Sequence, residues 1–61
     1  SQLSRQLVEN LFGEVPSDSG TLNIEGNRIV YNVEDGIITL TITDSDGNTT
    51  TISLPVGNFT F

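Results

Sequence analysis

The apolar residues of this chain change their spacing once, near Thr21, and that change constrains the fold more than any single motif. Before it, Leu3, Leu7, Val8, Leu11, Phe12 and Val15 step by four, one, three, one and three, the stripe of an amphipathic helix. Ser4, Arg5, Glu9 and Asn10 fall on the other side, with Arg5 and Glu9 an i,i+4 pair. Gly13 suits a helix stop, and Pro16 forbids continuation. The spacing predicts a helix over about 2–12 and a turn-rich linker over 13–20.

After Thr21 the period is two, and three turn signals cut the remainder into four strands: Gly26-Asn27, Asp35-Gly36 and the run Asp44 to Asn48. The predicted strands are about 21–25, 28–34, 37–43 and 49–54, with a tail over 55–61. Gly-Asn and Asp-Gly supply the positive φ that two-residue II′ and I′ loops need. A loop at 26–27 pairs Ile24 with Ile29 and Leu22 with Tyr31. A loop at 35–36 pairs Val33 with Ile38, Tyr31 with Leu40, and Ile29 with Ile42. A five-residue loop at 44–48 pairs Leu40 with Ile52 and Ile38 with Leu54. Each register places apolar residues opposite apolar ones on one face, and a one-residue slip would send that set to solvent. The other face is mostly hydroxyl and amide, with Val30, Ile37, Thr39, Thr41, Thr49, Thr51 and Ser53 on it and Glu25 opposite Arg28. One apolar sheet face and one apolar helix stripe predict an α+β domain: a single N-terminal helix packed on one face of a four-stranded antiparallel meander.

The chain has 61 residues, room for one small domain whose folding removes only about 60% of the unfolded chain's surface. Two basic against eight acidic residues leave a net charge of −6, which excludes attraction to nucleic acid or anionic lipid. Without Cys or His there is no thiolate, imidazole base or Cys/His zinc site, and Ser and Thr have no base to activate them. The reading is a non-enzyme without cofactor, metal or small-molecule substrate. No apolar run approaches the ~20 residues of a membrane-spanning helix. The chain opens without methionine or a leader pattern, as a processed chain or a piece of a longer one would.

Asp44-Ser45-Asp46-Gly47-Asn48 has the oxygen alternation of a calcium loop. The sixth and twelfth positions of an EF-hand, however, would here be Thr49 and Pro55, so a hairpin loop is the preferred reading. Glu34-Asp35 reads as solvated turn chemistry. Asn58-Phe59-Thr60 matches a glycosylation acceptor, relevant only to a eukaryotic secreted chain. Tyr31 reads as a core residue with its hydroxyl at the rim. Phe59 and Phe61 lie outside the repeating pattern. Either they cover the open side of the core or they form an exposed contact for a partner.

The order of parts resembles a known family. A Ser-Gln-Leu helix leads through a Gly/Pro-containing linker to the strand from Arg28 to Val33. Asp35-Gly36 then leads into the strand from Ile38 to Asp44, and Gly47-Asn48-Thr49-Thr50-Thr51-Ile52 closes the set. This series, over about Ser1 to Leu54, is similar to the C-terminal domain of the curli secretion accessory protein CsgF. The resemblance implies export through the periplasm to the extracellular face of the outer membrane. It implies two partners, the channel that secretes curli subunits and the nucleating subunit of the fibre. The family's channel-inserting segment would precede Ser1, so the chain reads as the outer head. The resemblance brings no catalytic residues.

A meander has two open edges, and lysine, the usual edge protector, is absent. The last strand, through Thr49, Thr51 and Ser53, could accept a strand from a fibre subunit. The outer face, with Val30, Ile37, Thr39 and Thr41, is the alternative surface, and Phe59 and Phe61 are a third. A generic extracellular adhesin or scaffold module acting through the same face or edge is the competing function.

Overall fold

A computed structural model describes residues 1–58 of the chain. The expectations for Phe59 and Phe61, and the Asn58-Phe59-Thr60 acceptor, lie outside the described residues. The element order is α1 (Gln2–Phe12), β1 (Ser19–Ile24), β2 (Asn27–Glu34), β3 (Ile37–Thr43) and β4 (Thr49–Pro55). The strands form one antiparallel sheet in the order β1-β2-β3-β4, the expected meander.

Helix α1 begins at a reciprocal cap. The Ser1 hydroxyl accepts the Ser4 N–H at 3.2 Å, and the Ser4 hydroxyl accepts from the Ser1 amino group at 3.1 Å. At the other end the Gly13 N–H donates to the Glu9 carbonyl at 2.9 Å. Gly13 is extended rather than left-handed, and a Cβ there would strike the Glu9 carbonyl oxygen. Glycine therefore stops this helix by lacking a side chain, not by visiting positive φ.

Leu7 and Leu11 descend from α1 onto Ile29, Tyr31, Ile38 and Leu40, and these six residues are the buried core. Leu3, Leu22, Ile24, Val33, Ile42, Leu54 and Val56 pack around them. The helix stripe is narrower than its sequence pattern. Val8, Phe12 and Val15 are exposed, and Ile52, expected in the core, is 43% exposed. The helix backbone comes close to β1 and to no other strand. The short connection holds it there: the Ser17 N–H donates to the Asn10 carbonyl at 2.9 Å, and the Val33 N–H to the Asp18 carbonyl at 2.8 Å. A helix drawn to the β1 side covers β2 and β3 with its deepest residues and leaves β4 partly bare.

The β2–β3 and β3–β4 registers are those the sequence predicts, with Val33 opposite Ile38 and Leu40 opposite Ile52. The first hairpin is a correction. Its loop is Glu25-Gly26, not Gly26-Asn27, and the pairs are Leu22 with Ile29 and Gly20 with Tyr31. Glu25 and Gly26 have φ of 51° and 81°, the double positive φ of a type I′ loop, as do Asp35 and Gly36 at 53° and 76°. Strand β1 accordingly spans Ser19–Ile24 rather than 21–25, and Arg28 faces Asn23 instead of Glu25. The shift is two residues, so every side chain keeps its face. Its physical reason is the Tyr31 ring. A Cβ on Gly20 would lie 2.9 Å from Tyr31 Cε1, so the ring sits where only glycine leaves space. There Tyr31 is 1% exposed, and its hydroxyl donates to the Ser17 carbonyl at 3.4 Å.

Candidate protein-binding surface

Hydrogen-bond parity decides what each edge strand offers. At the two ends of the β3–β4 ladder, the Val56 N–H donates to the Gly36 carbonyl and the Asp44 N–H to the Asn48 carbonyl, each at 2.9 Å. Hydrogen-bonded pairs recur every second residue in an antiparallel ladder, so Thr50, Ile52 and Leu54 bond inward to β3. The N–H groups of Thr49, Thr51 and Ser53 point out of the sheet. Pro55, which has no N–H, stands next in that outward series, where proline costs no ladder bond. By the same reasoning from the Val33 to Asp18 bond, β1 presents Ser19, Thr21 and Asn23 outward.

Strand β4 carries no charged side chain, and residues 49–53 are exposed. On the outer face the register brings most of the sequence-predicted contact residues together in rows across the sheet. Val30, Thr41 and Thr51 form one row, and Asn32, Thr39 and Ser53 the next. Hydroxyl pairs tie β4 to β3: Thr39 Oγ1 lies 3.1 Å from Ser53 Oγ, and Thr43 Oγ1 lies 3.3 Å from Thr49 Oγ1. Val30 is 40% and Ile37 42% exposed on this face, small apolar islands among threonines.

On the opposite face, sequence reasoning missed a groove. Leu3, Leu40, Ile52 and Leu54 line a half-open space of about 180 Å³ between α1 and β4. Leu3 is the residue of α1 that lines it. The one hint in the sequence is the shortness of the connection from Gly13 to Asp18, which keeps the helix near β1 and uncovers the far strand.

The β3–β4 loop explains its own acidic residues. The Asp44 carboxylate accepts the N–H groups of Asp46 at 2.9 Å and Asn48 at 3.0 Å, and the Asn48 amide at 3.4 Å. The Asn48 N–H, chiefly, and the Asp46 N–H hold this carboxyl below the ordinary aspartate value of 3.8. These are the bonds of an Asx-type turn. Among the described residues no three carboxylates gather as metal ligands would. Nor, among the described residues, is any helix long and apolar enough to cross a membrane.

Searches of curated proteins and of solved structures gave no match. The family model described as "Type VIII secretion system (T8SS), CsgF protein" matches residues 1–55, which takes in the helix, the linker and all four strands. That span agrees with the resemblance carried by the order of helix, linker and turns. The chain belongs to the CsgF family, and with it to the type VIII system of curli secretion and assembly.

Proposed function

We propose that this domain is a non-enzymatic adaptor of curli assembly, linking the outer-membrane secretion channel to fibre nucleation at the cell surface. The observation that carries this reading is the uncharged outer edge of β4, with the N–H groups of Thr49, Thr51 and Ser53 directed away from the sheet. Unpaired edges bind extended segments through the backbone, and an amyloid-forming subunit is made of such segments. The working place of the domain is then the extracellular face of the outer membrane.

Proline substitution tests the edge. Thr51→Pro removes an outward N–H that makes no internal bond, so the fold should survive while capture of the nucleating subunit at the cell surface is lost. Ile52→Pro, which removes an inward bond to β3, should unfold the domain and serves as the control. The side-chain changes Thr51→Ser and Ser53→Thr should leave capture intact. The exposure of Val30 and Ile37 favours one second reading, in which the outer face is the contact. Capture that survives Thr51→Pro but fails in Val30→Ser, Ile37→Ser, Thr39→Lys or Thr41→Lys would select that reading and discard the edge.

A further inference from the structure

We infer that the groove beside β4 reads the side chains of the added strand and selects an uncharged segment with large apolar residues two positions apart. This inference rests on the strand-addition reading of β4. Backbone pairing alone cannot choose among partners, since every strand offers the same N–H and C=O groups. The groove supplies what the edge lacks. It opens on the core face directly behind the edge, and Leu3, Leu40, Ile52 and Leu54 line it.

Register and parity fix how the two features combine. An antiparallel strand bonded to Thr51 and Ser53 would place its intervening residues opposite Ile52 and Leu54. Those positions are the non-hydrogen-bonded pairs of the new ladder, where facing side chains approach most closely, with Cα atoms about 4.5 Å apart. Residues of the added strand opposite Ile52 and Leu54 point to the same face as they do, into the groove. An apolar cavity of about 150 Å³ holds one benzene ring. The 180 Å³ here therefore takes one aromatic or leucine side chain, with a second closing its rim two residues away. The residues between them meet Thr51 and Ser53 on the hydroxyl face and are best small and polar.

Charge narrows the occupant further. No charged residue lies on β4, so a lysine or glutamate entering the groove would lose its hydration without gaining a partner. A second copy of the chain would bring another six negative charges against the six already present. The committed occupant is thus a neutral strand from a different chain, alternating apolar and hydroxyl residues.

The test uses blocked synthetic peptides titrated into the isotopically labelled 61-residue chain, with amide and methyl NMR shifts as the readout. The probes are Thr-Phe-Thr-Leu-Thr-Thr, its variant with lysine for both apolar residues, and its variant with the two apolar residues adjacent. The first peptide should shift the Thr51 and Ser53 amides together with the Leu3, Leu40, Ile52 and Leu54 methyls, and bind at least tenfold more tightly than the other two. Ile52→Glu should cancel that preference while its amide spectrum stays folded. Equal binding of all three peptides with amide shifts alone would keep strand addition and overturn groove selection. Methyl shifts without amide shifts would overturn strand addition and this inference with it. No binding by any peptide also overturns it. Concentration-dependent self-association through β4 would assign the groove to a second copy. Binding gained only after Phe59→Ser and Phe61→Ser would assign it to the chain's own last residues. Either result overturns the inference.

Discussion

The sheet has two free edges, and they are guarded differently. Strand β1 runs under the side of the sheet to which the helix is tied, and Glu9 and Glu14 border the cleft it shares with Ser19, Gly20 and Thr21. Strand β4 has no charge and, among the described residues, little cover, with Ile52 43% exposed on the core face. Both ends of a meander normally need protection against pairing with another chain. Here carboxylates and a docked helix protect one end, and the other is left open. On the proposed function, a domain that captures amyloid-forming chains has a use for one open edge and not for two.

The comparison breaks most visibly through the helix. Leu7 is fully buried between α1 and the strands, so Leu7→Ala should cost about 2–5 kcal/mol by opening a cavity, a large share of the stability of so small a domain. Leu11→Ala should fall in the same range. Chemical denaturation measures both, and unchanged midpoints would mean that the helix does not hold the β1 side of the sheet.

The β1 side can also be overfilled. Gly20→Ala places a Cβ 2.9 Å from the Tyr31 ring, and should cost about 1–3 kcal/mol. The same substitution at Gly57, where a Cβ meets nothing within 4 Å, should change the denaturation midpoint far less. Equal effects at the two positions would contradict the Gly20–Tyr31 pairing and restore the alternative register.

Strand β4 should tolerate what β1–β3 cannot. Ile52→Thr removes a half-exposed side chain and keeps β-branching, so its cost should stay under about 1 kcal/mol. Leu40→Ala, opposite it and buried, should cost several times more. A thermal melt distinguishes them, and a large loss at Ile52 would show β4 to be better covered than its exposure indicates.

The smallest effect is in the loop that joins β3 to β4. The Asp44 carboxyl is held below its ordinary value in the folded chain, so its contribution is fully present above the unfolded value near 3.8. It is lost as pH falls through the lower folded value. Melting followed from pH 6 downward should show a decline confined below about pH 4, and Asp44→Asn should flatten the Asp44 part of that decline. Millimolar Ca²⁺ should leave the melting temperature where it is, because the Asp44 oxygens already accept bonds from Asp46 and Asn48.

Much of this fold was legible in the residues. The Asp35-Gly36 loop and the run from Asp44 to Asn48 specified the facing ends of β2, β3 and β4 and two of the registers, and the change of period near Thr21 marked the passage from helix to sheet to within two residues. The first hairpin was misread because its two candidate registers differ by two residues. Period-two patterning assigns faces and is blind to an even shift. The candidate surface was legible in part. Its outward residues Thr49, Thr51 and Ser53 follow from alternation, whereas the direction of their N–H groups needed two observed bonds at the ends of the ladder.

What the sequence determined by itself is the face on which each strand side chain lies, the extent of the helix and the absence of charge along β4, since each is a local property of residue type and spacing. Only the tertiary structure decided where along the sheet the helix comes to rest. An apolar stripe specifies that a face must be buried, but not against which strands, because burial of apolar area has no direction. The short connection and the Tyr31 ring over Gly20 place Leu7 and Leu11 above β2 and β3. That placement leaves Val8, Phe12 and Ile52 uncovered, and it creates the groove that no pattern of residues announced.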